Sequence, residues 1–237
     1  MSNDRSTGLG PALPHGDVVG SLLRPPELLH AREDLTAGEM SHEDFHRIED
    51  KSVDDAVALQ QNVGLHIATD GEMRRLSFQS ALPEAVEGFG TFDINAFLWG
   101  DWRGDSNVGD LSTPRPSTLG VTGKLTRTKP FAVNEFAYLA HAVDGDVVPK
   151  VTLPSPSLFA NFWSPQLSTS AYPNIDTFLG DVANVLREEI ADLVALGATY
   201  IQLDAPQYPL VLDPAWAEFY AAQGWSVSGW VAQGVAL

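Results

Sequence analysis

Apolar residues recur at helical spacing in long stretches of the chain. In the first stretch, Ser41 can cap a helix that ends at Gly64, with the apolar face Phe45, Ile48, Val53, Ala56, Leu59 and Val63. In another, Asp176 can cap a helix that ends at Gly197, with the apolar face Phe178, Val182, Val185, Leu186, Ile190 and Leu193. A third helical pattern covers residues 131–143.

Short apolar runs follow both glycines and predict strands. Residues 65–69 lead into Asp70, and residues 200–203 lead into Asp204. Three further runs predict strands: 18–20, 147–153 and, more weakly, 119–125. Helices that alternate with continuous apolar strands indicate a parallel sheet covered by helices.

Both a (β/α) barrel and a doubly wound sheet satisfy this alternation. Polar residues follow several strands, at Ser21, Glu72 and Asp204, which favours the barrel over a sheet with one switch point. Residues 84–116 do not fit the repeat and hold aromatic side chains. We interpret them as an excursion over the barrel mouth or a satellite hydrophobic cluster under a long loop: Phe89, Phe92, Phe97, Trp99 and Trp102.

Composition limits the classes of function. The net charge of −17 argues against nucleic acid or an anionic membrane as a partner, because both attract basic surfaces. The chain has no long apolar run and no signal-like start, so we expect a soluble, cytoplasmic protein. It has no Cys, which removes disulfides, a thiolate nucleophile and Cys metal ligands.

Charged residues gather in the sequence TDGEMRR at residues 69–75, directly after a predicted strand. Charge at the carboxyl end of a buried strand is costly unless it binds or reacts with something. A functional site is therefore the leading interpretation. The alternative is a self-satisfied network in which Arg74 or Arg75 pairs with Asp70 and Glu72.

The sequence HEDFH at residues 42–46 matches the H-E-x-x-H zinc motif. The match lies in the capped first turn of a predicted helix, where its acids suit the helix dipole. No third-ligand motif accompanies it, so a chance match is the preferred interpretation over a metalloprotease.

Three segments together resemble the cobalamin-independent methionine synthase C-terminal domain family. They are VGSLLRP at residues 19–25, TDGEMRR at 69–75 and YIQLDAP at 200–206, and KVTLPSPS at 150–157 resembles the family's strand between the last two. The resemblance covers nearly the whole chain. It implies an α/β fold, a (β/α)8 TIM-type barrel, with residues 1–237 as a single domain.

The resemblance also implies methyl transfer from 5-methyltetrahydrofolate to homocysteine, with a zinc ion that activates the thiol. By position, Val19, Gly20 and Ser21 would contact the amino acid, and Glu72 and Asp204 would bind its ammonium. Arg115 would approach the folate. Its stacking surface would come from Trp163 or Phe162, for which core packing is the alternative.

Two departures from the family pattern qualify this prediction. Ala205 replaces an acid that commonly follows the Asp of the third segment, here Asp204, which leaves open another thiol as the methyl acceptor, as in the coenzyme M transferases. The family's zinc ligands lie beyond the Asp204 strand and include Cys, which this chain lacks. We therefore expect a partial barrel, truncated before its last strands, without the zinc ligands and inactive in isolation. A non-catalytic assembly module that self-associates through exposed sheet edges is the remaining alternative.

Overall fold

The computed structural model describes residues 16–78, 80–91 and 119–206, with isolated positions after residue 206. The helices and strands are, in chain order, α1 (Pro26–Ala37), α2 (His42–Asn62), β1 (Ile67–Ala68), α3 (Ala81–Ala85), β2 (Val86–Thr91), β3 (Leu119–Arg127), α4 (Val133–Ala142), β4 (Val148–Pro154), a 3₁₀ helix (Pro156–Phe162), α5 (Ile175–Ala195) and β5 (Tyr200–Asp204). None of the described helices combines the length and apolar character needed to cross a membrane.

A three-stranded sheet has the order β1-β4-β5. Strands β1 and β4 are parallel, with Ile67 opposite Val148 and Ala68 opposite Pro149. The second half of β4 is buried throughout, as expected for a strand covered on both faces. The predicted α/β class with parallel strands is confirmed.

The predicted strand at residues 119–125 forms as part of β3, but it pairs antiparallel with β2 in a separate two-stranded sheet. Gly88 of β2 explains the close pairing. Its φ is 109°, and a Cβ there would lie 2.6 Å from the Lys124 carbonyl oxygen. Because this strand belongs to a hairpin, it is not one of the parallel strands that the sequence predicted.

The N-terminal caps of α2 and α5 can be compared with the two predicted caps. Ser41 caps α2, since its hydroxyl accepts the N–H of Asp44 at 3.1 Å. The second cap was wrong: Asn174, and not Asp176, caps α5, and its Oδ1 accepts the N–H of Thr177 at 2.9 Å. Asp176 lies instead in the first turn, where its charge suits the helix dipole.

Residues 18–20 do not form the predicted strand. The carbonyl of Val18 accepts from the Lys150 ammonium, and the carbonyl of Gly20 accepts from the Thr69 hydroxyl. Side chains therefore bind backbone groups that a strand ladder would otherwise use.

The described chain forms two compact units. The first comprises Met1–Arg74 and Phe136–Val151, and the second comprises Arg75–Glu135 and Thr152–Leu237. The core of the first unit lies between α1, α2 and α4 and holds Leu28, Ala31, Phe45, Val53, Ala56, Val57, Met73 and Leu139. Met73 directly follows Glu72. Its packing therefore holds residues 69–74, called the signature loop below, against this core.

The second unit has an aromatic core. Phe89 lies 5.9 to 6.5 Å, between ring centroids, from Phe159, Phe162 and Phe178. This agrees with the satellite-cluster interpretation for Phe89. The other aromatic residues of that region lie outside the described residues: Phe92, Phe97, Trp99 and Trp102.

Glu189 of α5 joins two parts of the second unit from a fully buried position. Its Oε1 accepts the backbone N–H groups of Phe131, Ala132 and Val133 at the start of α4, at 2.6 to 3.0 Å. Its Oε2 accepts from Arg127. A carboxylate at a helix N-terminus satisfies donors that have no partner inside the helix.

Replacing Glu189 should therefore destabilise the protein strongly. We expect Glu189→Ala to lower the free energy of unfolding by about 3–5 kcal/mol, because Arg127 and three backbone donors lose a buried acceptor. Chemical denaturation followed by circular dichroism measures this. Glu188→Ala, an exposed position on the same helix, is the matched control and should change stability by less than about 0.5 kcal/mol. Equal effects of the two changes would contradict the capping role.

Candidate functional site

The loop after β1 is held in an unusual backbone conformation by its own side chains. Asp70 Oδ1 accepts the N–H of Glu72 at 2.9 Å, and Thr69 Oγ1 accepts the N–H of Gly71 at 3.1 Å. Gly71 has φ 67° and Glu72 has φ 55°. Left-handed backbone at a residue such as Glu72 costs about 1–3 kcal/mol and concentrates at functional sites.

Ser21 and Glu72, two of the predicted site residues, meet in the first unit. The Ser21 hydroxyl donates to Glu72 Oε2. The N–H of Leu22 donates to the Gly71 carbonyl at 3.0 Å, and Arg24 donates to the Glu72 carbonyl at 3.0 Å. Glu72 is only 1% exposed. The structure therefore brings the first two signatures together around one buried carboxylate.

Gly20 and Val19, the predicted site residues next to Ser21, differ in burial. Gly20 is buried and its carbonyl accepts the Thr69 hydroxyl at 3.0 Å. Val19 is 74% exposed. Gly20 therefore belongs to the bonded centre of this site, whereas Val19 is largely exposed.

Lys150 of β4 is a site residue that the sequence interpretation did not single out. Its ammonium has no solvent exposure and lies 2.7 Å from Asp17 Oδ2 and 2.5 Å from the Val18 carbonyl oxygen. A buried charge must be paired. A lone lysine inside the apolar run of β4 was the available signal. Lys150 ties the start of the Ser21 segment to the sheet.

Arg32 of α1 holds the far side of the same loop. It donates to the Met73 carbonyl at 3.2 Å and lies 3.4 Å from Glu49 Oε1. No sequence motif marked it. The carbonyls of Glu72 and Met73 are thus bound by arginines from the N-terminal part of the chain, Arg24 and Arg32.

The two signature arginines bind partners outside residues 69–75. In the first unit, Arg74 pairs with Asp50 and stacks on the Tyr138 ring, 4.6 Å from its centroid. In the second unit, Arg75 pairs with Glu135 at 2.6 Å and donates to the Thr152 carbonyl at 2.9 Å. Both arginines bind partners far along the chain.

Tyr138 stays protonated over the physiological range. Burial, followed by its hydrogen bond to Asp54 at 3.0 Å, raises its pKa to about 12. The hydroxyl therefore acts as a neutral donor to a carboxylate, and the ring remains available to the Arg74 guanidinium.

Asp204 ends β5 in the second unit. Its Oδ1 accepts from Gln202 Nε2 at 2.5 Å, and its carbonyl accepts the N–H of Ser155 at 2.8 Å. Ser155 and Ser157 follow β4 and are buried, with their hydroxyl oxygens 3.3 Å apart. A polar strand end at Asp204 is thus present. Its joint action with Glu72 stays a prediction.

The side chains predicted to contact the folate lie in different surroundings or outside the described residues. Trp163 is buried and its Nε1 donates to the Tyr172 carbonyl at 3.1 Å, which is a core-packing arrangement. Phe162 belongs to the aromatic core already described. Arg115 lies outside the described residues. Folate contact by these side chains stays a prediction.

The H-E-x-x-H match does not build a metal centre in the described part of the chain. His46 Nδ1 lies 3.0 Å from Glu49 Oε2, an i,i+3 contact on α2. The described residues contain no group of three His, Cys, Asp or Glu side chains that could hold a metal ion. The motif is accounted for by helix-surface pairing.

A family model described as "Cobalamin-independent synthase, Catalytic domain" matches residues 15–224. The chain belongs to this family. Among curated proteins, it is 29% identical over 208 residues to the uncharacterized protein YxjH of Bacillus subtilis, covering 88% of this chain and 50% of that protein. It is 31% identical over 191 residues to methionine synthase of Sulfurisphaera tokodaii, covering 80% of this chain and 51% of that protein. The chain spans about half the length of these relatives.

Solved structures agree with the family assignment at the level of fold. The putative vitamin-B12 independent methionine synthase from Listeria monocytogenes superposes with a TM-score of 0.62 at 23% identity, over 93% of this chain and 60% of that chain. A B12-independent methionine synthase from Shewanella gives a TM-score of 0.55 at 21% identity, over 78% of this chain and 49% of that chain. This partial coverage is consistent with the predicted partial (β/α)8 barrel.

Gly71 provides a test of how tightly the signature loop packs. A Cβ there would lie 3.0 Å from Met73 Cε and 3.2 Å from Leu22 Cβ, at φ 67°. We expect Gly71→Ala to lower the free energy of unfolding by about 2–4 kcal/mol, from backbone strain plus crowding. Gly145→Ala, at φ 62° with nothing within 4 Å, should cost about 1–2 kcal/mol from strain alone. Denaturant titration would refute the packing interpretation if the two costs were equal.

Lys150 provides a test of what holds the Ser21 segment. Lys150→Met should leave Asp17 without its ammonium and release residues 17–21, so amide hydrogen exchange there should speed up at least about tenfold. The matched control is Lys129→Met at an exposed position, which should leave exchange unchanged. Unchanged protection of Gly20 and Ser21 in Lys150→Met would show that other bonds suffice.

Proposed function

We propose that this chain binds the amino-acid end of the thiol substrate in a methyl transfer from methylated folate to homocysteine, with Glu72 as acceptor for the substrate ammonium. The observation that carries the proposal is the buried Glu72 carboxylate, bonded to Ser21, where two family signatures meet. Relatives named methionine synthase support the reaction class.

The chemistry of Glu72 suits an ammonium. A carboxylate offers about four acceptor positions, so it can accept from several donors at once. Hydrogen bonds between an ammonium and a carboxylate are charge-assisted and are stronger in a site shielded from water. Glu72 therefore acts in binding and orientation, and it does not exchange a proton with the reacting sulfur.

The remaining residues complete the proposal by position. Asp204 is the second carboxylate assigned to the ammonium, and Val19 and Gly20 supply backbone contacts to the amino acid. Arg115 and Trp163 are assigned to the folate. The assignments of Val19, Gly20 and Asp204 rest on the signature positions, and those of Arg115 and Trp163 rest on the family resemblance outside the signatures.

Zinc belongs to the chemistry expected of the family, but the described residues do not fit a zinc site. They gather no three suitable ligands, and the whole sequence has no Cys. The proposal is accordingly limited to substrate binding, and no step of the transfer is assigned to a metal held by these residues.

A thiol without an amino-acid group is the second candidate substrate. Ala205 favours it, because this position follows Asp204 and lacks the acid that the family commonly has there. Loss of a carboxylate weakens recognition of an ammonium. A coenzyme M-type thiol, which has no ammonium, would then be preferred over homocysteine.

Calorimetric titration with L-methionine and with its desamino analogue, 4-(methylthio)butanoate, tests the proposal. We expect the unmodified chain to bind L-methionine more tightly, and Glu72→Gln to weaken that binding about 10- to 100-fold, the value of a charge-assisted hydrogen bond. Glu43→Gln, with a side chain 86% exposed on α2, is the control and should leave affinity unchanged. Equal affinity for both ligands would favour the second candidate, and no binding of methionine would overturn the proposal.

A further inference from the structure

One carboxylate oxygen of Asp70 accepts a hydrogen bond, and the other is buried without a hydrogen-bond donor. Oδ1 accepts the N–H of Glu72 at 2.9 Å. Oδ2 is enclosed by protein and receives no hydrogen bond. The residue is 7% exposed. Burying a carboxylate oxygen without a donor is unfavourable, so such an atom requires an explanation.

Two other buried carboxylates among the described residues bind donors of the protein itself. Glu189 accepts from three backbone N–H groups and from Arg127, and Glu135 accepts from Arg75. Within the described ranges, Asp70 Oδ2 is the only buried carboxylate oxygen that lacks a hydrogen bond. Asp70 therefore differs from Glu189 and Glu135, whose carboxylates bind donors within the fold.

Asp70 lies in the same turn as Glu72. Its Oδ1 is bonded to the Glu72 amide, so both carboxylates belong to the same turn at the end of β1. The turn cannot relax easily, because Gly71 and Glu72 both have left-handed backbone and Gly71 is packed against Met73 and Leu22. Asp70 is therefore held rigidly beside the residue that the proposed function assigns to the ligand.

We propose that Asp70 Oδ2 accepts a hydrogen bond from the α-ammonium of the amino-acid ligand, which makes Asp70 a second binding carboxylate of the first unit. This inference rests on the proposed function of Glu72. An ammonium carries three donors, enough to reach Glu72 and Asp70 at once. Because Oδ2 is covered by protein, neighbouring side chains have to move before the ammonium reaches it. The ligand then supplies the donor that the folded chain lacks, and the desolvation cost of Asp70 is offset.

Asp70→Asn is the informative change, because an Asn side-chain oxygen can still accept the Glu72 N–H and preserve the turn. Titration with L-methionine should show about tenfold weaker binding for Asp70→Asn, since a charged acceptor is lost. Binding of 4-(methylthio)butanoate should change by less than about twofold. Asp55→Asn, an exposed Asp on α2, is the isosteric control and should change neither.

Thermal unfolding without ligand gives a second, independent measurement. If Asp70 is retained for binding, Asp70→Asn should raise the melting temperature by about 2–4 °C, because an unpaired buried charge is removed. Asp70→Ala should not gain this increase, since it also loses the bond to the Glu72 amide. A lower melting temperature for Asp70→Asn than for the unmodified chain would overturn the inference, because the carboxylate would then serve the fold.

The two proposals fail in distinguishable ways. Weakened methionine binding in Glu72→Gln but not in Asp70→Asn would overturn the role of Asp70 and leave that of Glu72 intact. A loss in Asp70→Asn that is equally large for the desamino analogue would show that Asp70 acts on the turn and not on the ammonium. Absence of methionine binding by the unmodified chain would overturn both.

Discussion

The segment from Asp17 to Arg24 has no helix or strand of its own, so hydrogen bonds to other parts of the first unit decide where it lies. Lys150 binds its beginning, Thr69 binds its middle, and Arg24 at its end binds the Glu72 carbonyl. These groups are buried or half-buried, where an unmade bond costs more than a made one contributes. The place of the Ser21 hydroxyl, and of the carboxylate that it bonds, depends on the whole set.

Buried acids have two different uses in this chain. Glu189 accepts from backbone donors and from Arg127, so it joins residues 131–133 to α5 within the second unit. Asp70 and Glu72 instead lie in a strained turn, and Asp70 keeps one oxygen without a donor. The first arrangement stabilises a fold by itself. The second leaves a buried acceptor without a donor, and the proposed role of Asp70 rests on this difference.

Much of the fold and part of the site could be predicted from the sequence. Helices α2 and α5 follow from apolar spacing, and parallel strands follow from apolar runs between helices. Residues 18–20 do not form the predicted strand, and residues 119–125 form a strand that pairs antiparallel with β2 and not in the parallel sheet. A short apolar run has the same appearance in all these settings. Glu72 and Ser21 were singled out from the signatures. Lys150, the first residue of the segment 150–157 that resembles the family, and Arg32, which lies in no motif, were not singled out because no sequence pattern shows which distant group a single basic residue binds.

The sequence alone determined the features that depend on neighbours in the chain. These are the helix that begins at the Ser41 cap, the Asx turn that Asp70 makes with Glu72, and the acid placed at the end of β5. Only the tertiary structure decided which charges meet. Lys150 pairs with Asp17, which is 133 positions away in the sequence, and Arg75 pairs with Glu135, which is 60 positions away. Burial makes such pairing obligatory, but periodicity carries no information about which distant partner provides it.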